Sequence, residues 1–180
     1  MTQSRAKGRR AEREVAALLA EWWGILEPKC EFKPTPLSGG WGGRDGGAHV
    51  RAHFKASGDL MTTAGEFPYT VEVKHRESWS MANLVAGKRT PPWDWWIQSQ
   101  RQATEEGGVP LLWFKKNRYP WLIALPQGAL GAGDPDLFIP KHTLIENGVD
   151  YGPELPVFMF ADRLLAMAPS SLVKESDAAV

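Results

Sequence analysis

Residue types and spacing with chemical potential gather in the middle of the chain. In the segment Tyr69–His75, strand alternation sends Tyr69, Val71 and Val73 to one face and Thr70, Glu72 and Lys74 to the other. A carboxylate and an ammonium then project side by side with apolar residues behind them. A half-exposed strand carrying a solvated ion pair would show the same pattern. Asp59 adds a further group. If Asp59–Thr63 and Tyr69–His75 form a hairpin that turns between Gly65 and Glu66, Asp59 sits opposite Glu72 on one face. A shift of one residue would separate them. Two facing carboxylates repel unless one is protonated or a cation joins them. Oxygen ligands suit a hard divalent cation, Mg2+ or Mn2+. A lysine two residues beyond one ligand can orient an attacking water or steady the negative charge that develops. Asp, then Glu-x-Lys, is a candidate centre for metal-assisted phosphodiester hydrolysis.

The elements that must position these groups follow from periodicity. A helix is expected from about Arg5 to Trp23, with Ser4 as its N-cap and Gly24 at its end. Val15, Ala16, Leu19, Trp22 and Trp23 form its apolar stripe, and Glu12 projects onto the middle of that stripe. A carboxylate on a buried face is costly unless something pairs with it. A helix that starts at the domain edge would let Glu12 escape to water. A short strand is expected near Glu31–Lys33, then a Gly-rich loop to Gly58. That loop lacks a GK[ST] ending, so it is no phosphate-cradling P-loop. A second helix runs from Pro91 to about Glu106, capped by Thr90 and stopped at Gly107-Gly108. It carries Gln98, Gln100 and Gln102, and near its start Trp93, Trp95 and Trp96. Strands at Leu111–Lys116 and Trp121–Leu125 follow. Val157–Ala168 has a helical apolar period. The succession of helix, strands, helix, strands predicts an α/β fold.

The chain has 180 residues, which suits one domain with an extension. Its net charge is zero, but the charge is unevenly placed. Residues 1–126 hold 18 Lys+Arg against 13 Asp+Glu, and residues 127–180 hold 3 against 8. The basic part can face a polyanion. Arg5, Lys7, Arg9 and Arg10 stand at its start without an acid, and Lys115 and Lys116 later could join them; a solvated surface explains both groups as well. One cysteine, Cys30, excludes an internal disulfide and a multi-cysteine zinc site. No apolar run is long enough for a membrane span, and the N-terminus lacks a secretory pattern. A cytoplasmic protein is expected.

Gly58-Asp59 followed by Glu72-Val73-Lys74 resembles the signature of the PD-(D/E)XK nucleases. Lys7-Gly8-(x)3-Glu12-Arg13-Glu14 resembles the opening helix of archaeal-type Holliday junction resolvases, including versions carried by phages. Tyr69–Lys74 is similar to their central strand, and Gly107–Lys115 to their passage from the second helix into the next strand. The usual proline before the aspartate is Gly58 here. The resemblance implies a restriction-endonuclease-like core, a central mixed β-sheet flanked by helices, over residues 1–126. Residues 127–168 would be an extension packed on it, and 169–180 a disordered tail. It implies a Mg2+-dependent endonuclease, with Mn2+ substituting, that cuts four-way DNA junctions. Glu12, Asp59 and Glu72 would bind metal. Lys74, Gln98 and a serine, with Ser38 the chosen match, would complete the catalytic set. Arg5, Lys7, Arg9, Arg10, Lys115 and Lys116 would contact DNA. Two cuts on one junction imply a homodimer, with an interface at Trp93–Trp96 or at Phe158–Leu165. A phage-encoded protein would act in the host cytoplasm, with no membrane and no organic cofactor. A nuclease for other branched or duplex DNA, a non-catalytic DNA-binding module and an interaction protein with a Trp-rich surface are the alternatives.

Overall fold

The computed structural model describes residues 3–36, 54–86, 88–129 and 156–171. Four helices appear there: α1 (Gln3–Trp23), α2 (Met81–Val85), α3 (Pro91–Glu106) and α4 (Ala161–Ala166). The strands are β1 (Phe32–Pro34), β2 (Lys55–Ser57), β3 (Leu60–Thr62), β4 (Tyr69–His75), β5 (Val109–Lys115), β6 (Leu122–Pro126) and β7 (Pro156–Phe160).

Two sheets form. The larger has the order β4-β5-β6-β7 and is mixed, because β4 and β5 run parallel while β5/β6 and β6/β7 are antiparallel. The parallel pair is joined through α2 and α3, the kind of crossover that parallel strands require. The smaller sheet is antiparallel with the order β1-β3-β2. An isolated parallel bridge between Gly58 and Val71 joins the two sheets.

Alternation along the larger sheet feeds two apolar layers. Val71, Val73, Leu111, Trp113, Ile123, Leu125, Val157 and Met159 face α1, whose Ala11, Val15, Leu19, Trp22 and Trp23 are buried against them. Leu112, Phe114, Leu122, Ala124 and Phe158 pack with Trp93 and Trp96 of α3 on the other face. A sheet covered on both sides reads as apolar runs rather than strict alternation, as LLWF and VFMF do. Each such aromatic is worth about 3–5 kcal/mol against truncation to alanine.

Several sequence expectations need correction. β3 does not pair with β4 as a hairpin; it lies between β1 and β2, and the contact with β4 comes through Gly58. The run Val157–Ala168 is not one helix: its first part is β7 and only Ala161–Ala166 is helical. Burial on both faces had produced an apolar pattern that a helical projection also fits. Ser4 lies inside α1 rather than capping it. Thr90 takes the extended N-cap conformation before α3, but its hydroxyl makes no capping bond. Trp93 and Trp96 are core residues, 3% and 0% exposed, so they offer no surface for a partner or for stacking on bases. Phe158 and Leu164 are buried too.

Candidate active site

The candidate site lies along β4, on the edge of the larger sheet where Gly58 bridges it. In the parallel register Glu72 stands beside Leu112, on the face that α3 covers. Glu72 is only 2% exposed. Lys74, two residues on, shares its face, and its ammonium donates to Glu72 Oε1. Gln98 of α3 donates its Nε2 to the same oxygen at 3.0 Å. Asp59 comes alongside from the other sheet. Its amide donates to the Val71 carbonyl at 2.8 Å, and its Oδ2 accepts from the Val73 amide at 2.9 Å. These two bonds bracket Glu72 in sequence. Asp59 thus reaches Glu72 through a parallel bridge instead of the antiparallel pairing expected from the turn at Gly65-Glu66.

Gly58 makes this approach possible. Its φ of 73° belongs to the left-handed region, and a Cβ there would fall 2.3 Å from the Val71 carbonyl oxygen. Thr35 and Glu106 hold the dipeptide from outside. The Thr35 hydroxyl donates to the Gly58 carbonyl at 2.9 Å, its amide donates to the Asp59 carbonyl at 2.9 Å, and Glu106 Oε2 accepts from the Gly58 amide at 2.9 Å.

The electrostatics are those of crowded carboxylates. Burial and then the charge of Asp59 push Glu72 up to about 7, although Lys74 opposes this. Burial also raises Asp59, against the pull of the Val73 amide and Lys74. Glu12, half-buried on α1, is raised by burial and by Asp59. Three carboxylates and one ammonium leave an excess of two negative charges, which a divalent cation would neutralise. The donor chemistry, all carboxylate oxygen, fits Mg2+ or Mn2+. Among the described residues, however, no group of three or more His, Cys, Asp or Glu side chains stands assembled as a metal cage. Lys74 and Gln98 occupy one Glu72 oxygen, so these carboxylates would have to draw in around an ion.

The remaining expected residues divide. Gln98 joins the site; Gln100 is buried at 7% exposure and Gln102 is half-buried. Ser38 lies outside the described residues, as does the side chain of Arg5. Arg9 and Arg10 are exposed on α1. Lys7 pairs with Glu77 at 2.5 Å. Lys115 pairs with Glu14 at 2.7 Å and lies 4.3 Å from the centre of the Trp121 ring, while Lys116 lies 4.1 Å from that of Tyr119. His75, one residue past Lys74, faces away from it towards Asn117 Oδ1 at 3.1 Å. Thr35 and Glu106 were not foreseen. A carboxylate at the last position of a helix, against its negative end, was the available signal for Glu106.

Residues 3–137 match the family described as "Phage putative PDDEXK endonuclease". The chain belongs to this phage PD-(D/E)XK endonuclease family. Its fold sets a mixed sheet between helices on both faces and brings Asp59, Glu72 and Lys74 together at the β4 edge. Protein D14 of Escherichia phage T5 is 32% identical to this endonuclease over 124 residues, which are 68% of this chain and 70% of that protein. A solved structure, that of the Holliday junction resolvase Hjc of the archaeal hyperthermophile Archaeoglobus fulgidus, is similar at a TM-score of 0.35 and 16% identity. The likeness covers 86% of this chain and 89% of Hjc. Among the described residues no helix of the endonuclease is long and apolar enough to cross a membrane.

Proposed function

We propose that this nuclease is a Mg2+-dependent DNA endonuclease that cuts four-way junctions as a homodimer. The observation that carries the reading is the cluster at the β4 edge: Glu72, 2% exposed, beside Asp59 and Lys74, with Glu12 close enough to raise it further. Inactive surfaces have no need of three partly desolvated carboxylates around one lysine. This favours catalysis over a plain binding module. The preference for junctions rests on the ordered resemblance of the α1, β4 and α3–β5 segments to junction resolvases.

In this reading Glu12, Asp59 and Glu72 hold the cation, which supplies positive charge at the scissile phosphate. Lys74 directs its ammonium at the attacking water or a phosphate oxygen. Gln98 steadies the Glu72 carboxylate from α3 through its bond to Oε1. Ser38 completes the set, and water attacks in line with the leaving sugar oxygen. Arg5, Lys7, Arg9, Arg10, Lys115 and Lys116 contact backbone phosphates; Lys7 and Lys115 must then exchange Glu77 and Glu14 for DNA. Residues 1–126 form the nuclease core, and 127–168 an extension that delivers β7 to the sheet. The protein works in the host cytoplasm.

Matched four-way, forked and linear duplexes incubated with Mg2+ test this directly. Paired, symmetric cuts in the four-way substrate are expected. Equal cutting of all three would leave a branched- or duplex-DNA nuclease. No cutting with Mg2+ or Mn2+ would leave a binding module. Calorimetric titration with Mn2+ should also show binding that weakens at least about tenfold in Asp59→Asn, the scale on which lost ligands or their orienting partners act.

A further inference from the structure

We propose that Glu106 is a positioning residue for Asp59; the proposal rests on the assignment of Asp59 to the metal-binding set. Asp59 stands between β2 and β3 and belongs to neither strand. Its place depends on Gly58, whose bridge to Val71 is isolated rather than part of a ladder. A lone bridge is weak, and the Gly58 amide needs an acceptor in a left-handed conformation that no strand partner serves. Glu106 supplies that acceptor at 2.9 Å. It does so from α3, the same helix that presents Gln98 to Glu72 about two turns earlier. One rigid helix therefore touches both halves of the site. Gln98 acts on the β4 carboxylate, and Glu106 acts on Gly58, the residue next to the one that carries the other.

Helix stability does not account for a glutamate at this position. The last residue of α3 faces exposed carbonyl ends, where a negative charge is unfavourable, and α3 has no basic residue in its last turn to compensate. Alanine would serve the helix better in both charge and propensity. A residue kept only for α3 would therefore improve on truncation. A residue that fixes Asp59 would not improve on truncation, because the buried Gly58 amide would lose its acceptor, and the site would be disturbed. Positioning errors of this kind act on turnover far more than on affinity.

The test uses the full chain with Glu106→Ala and Glu106→Gln. Amide exchange reads the placement itself. Glu106→Ala is expected to speed exchange at Gly58 and Asp59 by about tenfold or more, while the amides of β5 keep their wild-type rates. Glu106→Gln retains an oxygen acceptor and should exchange within about twofold of wild type. On DNA, Glu106→Ala should lower kcat by roughly ten- to a hundredfold with KM near wild type and Tm unchanged or slightly lowered, and Glu106→Gln should restore it. Wild-type exchange at Gly58 and Asp59 in the alanine variant would overturn the proposal. So would a glutamine variant as impaired as alanine, since charge rather than the hydrogen bond would then be what counts. If the wild-type protein cuts no DNA, the proposed function fails, and the exchange measurement still decides whether Glu106 places Asp59.

Discussion

Lys74 and Gly58 show how single residues set the site. Lys74 is bonded to the buried Glu72, and in the proposed function it acts on the reacting water or phosphate while affinity for phosphates is spread over many basic groups. Lys74→Ala should therefore lower turnover by about 10²- to 10³-fold and leave DNA affinity within about twofold, measured by single-turnover cleavage and by binding with Ca2+ in place of Mg2+. Parallel loss of both would make Lys74 one more phosphate contact. Gly58 leads to a less intuitive expectation. The related nucleases carry proline before this aspartate, yet Gly58→Pro should abolish activity and destabilise the protein. Proline fixes φ near about −65° and has no N–H, whereas Gly58 has φ 73° and donates to Glu106. Gly58→Ala should cost about 1–3 kcal/mol from strain at positive φ alone. A Gly58→Pro protein with wild-type urea stability would show that this turn can be rebuilt. At this scale the sequence was informative for Glu72, Lys74 and Glu12, because alternation and helical projection put charges where apolar residues belonged. Thr35 and Glu106 act on backbone atoms of a distant segment, and no periodicity encodes such a contact.

Among the elements, α1 and the turn before β4 are pinned by one side chain. Glu27 accepts from the Trp23 indole at 2.9 Å and from the amides of Gly65 and Glu66 at 2.9 and 3.0 Å. Burial alone would raise its carboxyl, but these donors outweigh it and hold it below the usual range. A carboxyl with a lowered folded-state pKa contributes stability that is complete above its unfolded value and is lost as pH falls through the folded one. Glu27→Ala should thus cost about 1–2 kcal/mol near pH 7 by urea unfolding, and the difference from wild type should shrink below about pH 4. A difference independent of pH would mean that packing, not the charged hydrogen bonds, is at work. Element types were legible where one face was wet, as in α1 and α3. They were not legible in β7, whose Val157 and Met159 enter one apolar layer and Phe158 the other. Pairing was misread because the turn at Gly65-Glu66 looks like a hairpin turn, while β3 finds better partners in β1 and β2.

The whole molecule separates charge along its length. The surplus of five positive charges in residues 1–126 should make DNA binding salt-dependent although the net charge is zero. Each phosphate contact adds about 0.9 to the magnitude of the log–log salt slope, so removing Arg9 and Arg10 together should lower it by about 1.8. A slope unchanged by their removal would place the DNA elsewhere. A junction has two equivalent strands to cut, and no repeat in the chain supplies a second site. Sedimentation with junction DNA should show two chains of 20.0 kDa per junction. One chain per junction would exclude the resolvase reading and leave a simpler nuclease.

The strand order β1-β3-β2 has a consequence for how this protein can be altered. Pro34 and Ser57 both stand opposite Leu60, and Phe32 and Lys55 both stand opposite Thr62. The chain between β1 and β2 therefore begins and ends on the two flanks of one strand. The gap is two strand spacings across and two residues along, about 12 Å. Roughly four extended residues would span it. The connection from Thr35 to Phe54 holds several times more residues than that span demands. Replacing residues 37–53 with about six Gly and Ser residues should leave β1, β3 and Asp59 in place but remove Ser38 with the loop, so an exchanged segment would have to bring its own serine along with any substrate preference it carries.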